Sequence, residues 1–185
     1  MDTLEEVKLL LKELVASQKE TDLKFKETDS ELKETSRLVK ELTRNINGIA
    51  DSNGLTAEQF FSSALERSPA LNGVSFDYAE RDEKRHNKQL SMREQYDVLL
   101  YSESAIGIVE IKYRLRSSDI ELLASRKVEN FRVLFPQEAA KDIYLAAAGF
   151  SVDEQAIEKA RELGVYVLTQ VGENIKILNE EARIY

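Results

Sequence analysis

The sequence predicts an α/β domain, with a mixed sheet flanked by helices, preceded by a long N-terminal coiled-coil helix. Three observations predict this fold class. A heptad repeat runs through residues 1–49, and the apolar period changes from helical spacing to mixed helix and strand spacing after Leu55. Helices then alternate with strands after an antiparallel start, which is typical of a mixed sheet covered on both faces.

The composition is that of a folded domain. The chain has 185 residues, of which 42% are hydrophobic and 32% are charged. No window approaches the roughly 20 apolar residues that span a bilayer. The acidic N-terminus lacks the basic start and the uninterrupted apolar run of a secretory signal. We therefore expect a cytoplasmic protein without a membrane partner.

The residue types limit the chemistry that is available. The chain has no Cys and one His, His86, which excludes thiolate metal sites and Cys nucleophiles. A single His also excludes His-rich zinc sites and argues against a Ser-His-Asp triad. Catalysis, if present, must use carboxylates, Lys and hydroxyl groups, and His86 is expected in an exposed loop.

The net charge of −8 argues against a general electrostatic grip on nucleic acid, because such binding depends on Lys and Arg. A local basic patch must therefore carry any such role. The sequence offers one candidate, formed by Lys112, Arg114, Arg116, Arg126 and Lys127. The alternative interpretation is that these charges lie on a solvated helix face.

The N-terminal repeat can be read directly in "KETDLKF", "KETDSEL" and "KETSRLV". One seam, in steps of four and three residues, runs without a stutter over about six heptads, which predicts a left-handed coiled coil. The seam residues are Leu4, Leu11, Gln18, Phe25, Leu32, Val39 and Ile46, alternating with Val7, Leu14, Thr21, Thr28, Thr35, Leu42 and Ile49.

This seam predicts self-association. It is narrow and its flanks are charged, so most of the helix has nothing to bury except against a copy of itself. Lys24 and Asp29 are placed to pair between parallel chains. We expect a homo-oligomer through a parallel coiled coil, and a dimer is the first expectation. The seam residues do not discriminate dimers from trimers. The alternative is a lone amphipathic helix folded back on the domain.

The domain boundaries follow from glycine and turn-forming residues. The coiled-coil helix is expected to end near Gly48, so that residues 1–49 form the oligomerisation helix. The stretch "ADSNG", residues 50–54, indicates a hinge. Residues 55–185 then form the second domain.

The first half of this domain is expected to contain a helix, one half-buried strand and a polar connection. The helix begins with Thr56 as its cap, ends before Pro69, and directs Leu55, Gln59, Phe60 and Ala64 toward a core. Alternating Val74, Phe76 and Tyr78 predict a strand within residues 73–83. Residues 84–95 are expected to form a connecting loop or an extended ribbon.

The second half contains the remaining strands and helices. Strands are predicted at residues 96–102 and 105–115, joined by a turn at Ser102 to Ser104. The elements that follow are a helix at 117–135, a strand at 142–150, a helix at 152–164, and strands at 165–170 and 174–179.

Three charged residues interrupt the two central strands. Strand alternation places Glu110 and Lys112 on one face, and a hairpin about the predicted turn opposes Asp97 to Glu110. Opposed carboxylates about 5 Å apart at Cβ repel each other unless a cation or proton intervenes. Two carboxylates beside a Lys suit Mg²⁺ or Mn²⁺ with oxygen ligands. The alternative is an ion pair of Glu110 with Lys112 or Arg114 at a strand end.

An Asp, a spacer of twelve residues and then Glu-Ile-Lys, on two strands after a helix, resembles the PD-(D/E)xK nuclease superfamily. The members of that superfamily include restriction endonucleases and Holliday-junction resolvases. The resemblance covers roughly residues 55–169 and implies the superfamily's restriction-endonuclease-like αβββαβ core. By this resemblance, Asp97, Glu110 and the main-chain carbonyl of Ile111 are metal ligands. Lys112 orients or activates the attacking water, and Glu58 in the first helix joins the site.

The implied function is a Mg²⁺- or Mn²⁺-dependent nuclease that acts on DNA and is oligomerised by its coiled coil. One departure from the family pattern is Tyr96, which stands where Pro often precedes the Asp. The sequence leaves open a second function, a non-catalytic coiled-coil interaction or scaffold protein that retains a nuclease-like fold.

Overall fold

The computed structural model describes residues 3–180 and 182–185, with side chains from Glu5 onward in those ranges. The chain divides into two compact units, Met1–Ala50 and Asp51–Tyr185. None of the helices in the described part of the chain has the length and hydropathy of a membrane span.

Helix α1 runs without a break from Thr3 to Arg67. The prediction that it ends near Gly48 is wrong, and residues 50–54, expected to form a hinge, are helical. Gly48 and Gly54 keep negative φ among the described residues, so neither starts a turn. An interior glycine costs a helix only about 1 kcal/mol relative to Ala, which the flanking helix-forming residues can offset.

In the first unit, every described side chain of α1 up to Ala50 is exposed. The predicted seam is included: Leu14 is 64% exposed and Phe25 is 72% exposed. Lys24 pairs with Glu20 at 2.7 Å on the same helix. The first predicted seam residue, Leu4, lies outside the described side chains. The apolar seam therefore buries nothing in the single chain.

The second unit is built on a six-stranded mixed sheet with strand order β3-β4-β5-β6-β7-β8. Strands β3 to β5 are antiparallel, β5 to β7 are parallel, and β8 is antiparallel to β7. Its strands are β3 Tyr78–Asn87, β4 Met92–Tyr101, β5 Ala105–Leu115, β6 Asp142–Val152, β7 Tyr166–Val171 and β8 Asn174–Ile177. A separate two-stranded sheet contains β1 Ala70–Leu71 and β2 Val74–Ser75.

Helices cover both faces of the large sheet. On one face lie α2 Ser117–Leu122, a π-helical turn Leu123–Lys127, α3 Val128–Leu134 and α4 Glu154–Leu163. Their apolar side chains share a core with Ile106 and Ile108 of β5. On the other face, Phe61 and Leu65 of α1 pack in a second core with Val98 and Val109. The predicted α/β fold with a mixed, helix-flanked sheet is confirmed at this level.

Two local predictions about the second unit differ from the structure. The expected strand within residues 73–83 is divided, because β2 ends at Ser75 and β3 begins at Tyr78. The buried face of α1 contains Ala57, Phe61 and Leu65 rather than Leu55 and Gln59, which are exposed. The helix face that packs on the core is therefore different from the predicted one.

Residues 84–95 form an extended ribbon rather than a loop. They lengthen β3 to Asn87 and start β4 at Met92, with Asn87 opposite Met92 in the register. The Asn87 side-chain oxygen accepts hydrogen bonds from the main-chain N–H groups of Gln89 at 3.0 Å and Leu90 at 3.2 Å. This Asx-type turn closes the hairpin without apolar residues.

Candidate active site

The candidate site lies where β4 and β5 separate, at Asp97 and Glu110, and we call this place the strand fork. The two strands pair from Tyr101 opposite Ile106 to Val98 opposite Val109, which is the register predicted from the turn. Beyond that point β5 stays paired with β6, whereas β4 stays paired with β3. The predicted opposition of Asp97 to Glu110 therefore falls on the first residues past the paired segment.

Asp97 turns its carboxylate across the fork. The main-chain N–H of Ile111 on β5 donates a hydrogen bond to Asp97 Oδ2 at 2.7 Å. Tyr96 and Leu99 lie in the same core cluster although two residues separate them, whereas regular alternation allows one. The register of β4 with β3 is the same on both sides of Asp97, so the alternation breaks here through a local backbone distortion and not through an inserted residue.

Glu110 is held by two lysines. Its side chain is buried, with Lys112 Nζ 2.6 Å from Oε1 and Lys127 Nζ 2.6 Å from Oε2. Lys127 is also buried and donates a hydrogen bond to the main-chain oxygen of Gln95 at 2.6 Å. The ion pair of Glu110 with Lys112, which the sequence offered as an alternative to a metal site, is thus present and is extended by a second lysine.

The charges at the fork perturb each other. Burial, together with the nearby Glu110 carboxylate, raises the pKa of Asp97 to about 6, although the Ile111 N–H and both lysines oppose the rise. Burial alone lowers the pKa of Lys112, but its contacts with Glu110 outweigh this and leave that pKa raised. A buried carboxylate that ionises reluctantly beside another carboxylate is typical of a place that gains from a bound cation.

Glu58 and Asp97 share one cleft. The cleft has a volume of about 210 Å³, lies between α1 and the sheet, and includes Ile111 in its wall. Glu110 and Lys112 instead line a smaller pocket beside α2, together with Lys127. The structure therefore brings Glu58 to Asp97, and Lys112 to Glu110. The two groups meet at the strand fork, where Asp97 and Glu110 interact electrostatically.

Lys127 belongs to this site and was not predicted there. It lies four residues after Leu123 and four before Phe131, both of which are fully buried. A lysine in the apolar stripe of an amphipathic helix is the sequence signal that could have identified it. The π-helical turn Leu123–Lys127 supplies this lysine, and such turns occur frequently at functional sites.

Asp82 is a second residue that the sequence did not indicate. Its φ of +54° is unusual for a residue with a side chain. Its carboxylate accepts hydrogen bonds from Gln95 Nε2 at 2.7 Å and from Lys84 Nζ at 2.8 Å, and it lines the cleft that contains Asp97. Asp82 lies among other charged residues, Glu80, Arg81 and Glu83, so nothing in the sequence marks it for this role.

The carboxylates at the strand fork supply only some of the oxygen ligands that Mg²⁺ or Mn²⁺ needs. Within the described residues, no three acidic or imidazole side chains are arranged as a complete ligand set. Mg²⁺ does not require one, since it usually keeps several waters and is held by one or two carboxylates. Asp97, Glu110 and the Ile111 carbonyl can supply such oxygen ligands, provided that Glu110 exchanges a lysine contact for the ion.

The predicted basic patch is largely ion-paired. Beyond Lys112 and Lys127 on Glu110, Arg114 pairs with Asp153 at 2.9 Å and Arg126 lies 3.9 Å from Glu94. His86 is exposed as expected, but it lies in β3 rather than in a loop. One carboxylate, Glu110, serves both lysines, and no ion pair of Arg116 is found among the described residues, so the patch is only partly neutralised.

Comparison with models of known protein families, with curated proteins and with solved structures finds no match for this chain. The resemblance to PD-(D/E)xK nucleases therefore stays a prediction from the Asp97, Glu110 and Lys112 motif and the order of elements.

Proposed function

We propose that this chain is a Mg²⁺- or Mn²⁺-dependent nuclease that hydrolyses phosphodiester bonds in DNA. The observation that carries the proposal is the strand fork, where Asp97 and Glu110 directly follow the last paired residues of β4 and β5 and Lys112 contacts Glu110 at 2.6 Å. The element order, a helix, three antiparallel strands, further helices and a parallel strand, supports a restriction-endonuclease-like αβββαβ core within residues 55–169.

Each site residue has a distinct role in this proposal. Asp97, Glu110 and the Ile111 carbonyl would hold the divalent ion, and Glu58 would add a carboxylate from the cleft wall. When bound, such an ion polarises a phosphoryl oxygen and lowers the pKa of a coordinated water. The Lys112 side chain is 42% exposed and can reach a phosphate, whereas that of Lys127 is 10% exposed and positions Glu110.

The N-terminal helix supports a homo-oligomer. Its heptad seam is exposed in the single chain, with Leu32 at 64% and Ile49 at 61%. A second copy in parallel register would cover this seam by packing like residues together. We propose a parallel coiled coil, with a dimer as the first expectation.

A screen for metal-dependent cleavage tests the nuclease proposal. Purified protein is incubated with linear duplex, single-stranded and branched DNA and with RNA, in Mg²⁺, in Mn²⁺ and in chelator. We expect cleavage of DNA with either ion, none in chelator, and none by a Glu110→Gln variant prepared in parallel. Protein that binds Mn²⁺ but leaves every substrate intact would contradict the proposal.

The second candidate is a non-catalytic coiled-coil interaction protein with this fold. The observation that favours it is that both Glu110 oxygens already have lysine partners, so the fork needs no ion for charge balance. A titration of thermal stability with Mn²⁺ separates the two, since a ligand that binds the native state stabilises it by mass action. An unresponsive melting temperature supports the interaction protein.

A further inference from the structure

The ribbon formed by β3 and β4 has a basic tip. From Lys84 to Arg93 the sequence contains no acidic residue. The positively charged or titratable side chains in this stretch are Lys84, Arg85, His86, Lys88 and Arg93. Among the described residues, no ion pair involves His86, Lys88 or Arg93. The tip therefore keeps unneutralised positive charge on a chain whose net charge is −8.

This charge lies on the face of the ribbon that leads to Asp97. Strand alternation places Arg93 and Gln95 on one side of β4, and Gln95 lines the same cleft as Asp97. Lys84 is opposite Gln95, and His86 is opposite Arg93, in the register with β3. A surface depression of about 280 Å³ is lined by Lys84, Arg93 and Gln95, together with Glu94. On this face Lys84 is paired with Asp82 at 2.8 Å, so the free positive charge is carried by Arg93 and by Lys88 at the turn, farther along the ribbon from the cleft that contains Asp97.

The opposite face of the ribbon is neutralised. Arg85 pairs with Glu83 at 2.9 Å and lies over the ring of Phe135. Glu94 accepts a hydrogen bond from Asn130 Nδ2 at 2.6 Å and lies 3.9 Å from Arg126. The free charge is therefore one-sided, which indicates a directed binding surface rather than a generally solubilising tip.

We propose that the basic face of this ribbon binds the phosphate backbone of duplex DNA beside the candidate active site. The proposal rests on the proposed nuclease function and names its substrate as a duplex. Asp97 lies four positions after Arg93 on β4, about 13 Å along the strand at the usual rise. That length matches about four base-pair steps of one DNA strand at 3.4 Å each. Arg93 and Lys88 then contact phosphates a few nucleotides from the bond at the fork.

The shape of the ribbon favours DNA over other anionic partners. A two-stranded ribbon fits the major groove of B-form DNA, which is about 12 Å wide, whereas the major groove of duplex RNA is deep and narrow. Binding to an anionic membrane needs an apolar face that inserts beside the basic residues. The turn offers one large exposed apolar side chain, Leu90. Duplex DNA is therefore the partner that both charge and shape fit.

The test measures binding without cleavage. Full-length protein in chelator is titrated into a fluorescent 20-base-pair DNA duplex at several salt concentrations, and anisotropy gives the dissociation constant. The ribbon variant carries Lys88→Gln and Arg93→Gln. The control carries Lys159→Gln and Lys176→Gln, which remove the same charge from α4 and β8. Circular dichroism melting establishes that both variants fold.

We expect the ribbon variant to bind at least ~10-fold more weakly than wild type at low salt, with the control within ~2-fold. The slope of log affinity against log salt should fall by about 2, the loss of two phosphate contacts. Equal affinities of the ribbon and control variants would overturn the proposal. So would equal binding to an RNA duplex, or Arg93-dependent binding to anionic vesicles alone. Because no ion is present, these results are independent of whether the protein cuts DNA.

Discussion

Asp97 makes folding of the metal-free protein sensitive to pH. Its folded pKa is about 6, against an ordinary value of 3.8, so the native state binds more protons than the unfolded state between these values. Stability should therefore fall as pH rises from about 4 to about 6 and then level off. The ionised Asp97 carboxylate therefore lowers the free energy of unfolding at neutral pH.

We predict that Asp97→Asn is more stable than wild type at pH 7 in chelator, by about 1–3 kcal/mol. The introduced amide oxygen can still accept a hydrogen bond from the Ile111 N–H. The substitution also removes the negative charge that repels Glu110. Urea unfolding at pH 4 and pH 7 measures the difference, with Asp77→Asn as an exposed control. A less stable Asp97→Asn protein at pH 7 would show that this carboxylate is already compensated.

We predict that Lys127→Met destabilises the metal-free protein by about 3–5 kcal/mol, the scale for breaking a buried ion pair. The variant leaves a buried Glu110 oxygen and the Gln95 carbonyl without this donor. Mn²⁺ should then raise the melting temperature more than it does in wild type, because Glu110 has one fewer competing cation. Lys159→Met serves as the control. A melting temperature equal to that of wild type would exclude Lys127 from positioning Glu110.

The sequence identified Asp97, Glu110 and Lys112 because each interrupts an apolar strand, where a charge needs a reason. Lys127 was included in a basic patch, although its place in the apolar stripe of a helix marked it as buried. Asp82 could not be found, since its position depends on an unusual backbone conformation and on hydrogen bonds to Gln95 and Lys84.

At the scale of elements, the continuity of α1 is the largest difference between sequence and structure. Asp51 to Gly54 is a run of turn-forming residues, and local propensity alone predicted a break. Propensity is a weak prior, and here the packing of Ala57 and Phe61 in the second unit favours helix directly after this run.

We predict that Gly54→Ala stabilises the protein by about 0.5–1 kcal/mol, because a Cβ there meets no atom within 4 Å and the backbone is helical. Gly164→Ala is the contrasting variant. Its φ is +67° and an added Cβ would lie 2.8 Å from the main-chain N of Arg183, so it should destabilise. Thermal unfolding followed at 222 nm compares them. Destabilisation by Gly54→Ala would restore the hinge interpretation.

The β4–β5 register was predictable, because a short turn between two apolar runs fixes which residues oppose each other. The full length of the β3–β4 ribbon was not. Residues 84–95 have no apolar alternation, and their strand structure depends on cross-strand pairing and on the Asn87 turn. Neither feature appears in the apolar pattern on which strand prediction depends.

At the scale of the whole molecule, we predict that deleting residues 1–49 leaves a folded monomer, whereas the full chain is an oligomer. The second unit has two apolar cores of its own, which include Phe131 and Phe61. The seam of the first unit is exposed in the single chain, and we expect a second copy to cover it. Sedimentation equilibrium measures both proteins. A truncated protein of unchanged oligomeric state would place the association surface in the second unit.

The most direct measurement of the central claim is the rate of DNA cleavage by Lys112→Ala relative to wild type, at saturating Mn²⁺. Lys112 contacts Glu110 but is not one of the proposed metal ligands, so Lys112→Ala should bind Mn²⁺ at least as well as wild type. We predict that cleavage falls at least ~100-fold, the scale of one preorganised contact in the transition state. Cleavage by Lys112→Ala at the wild-type rate would contradict the account.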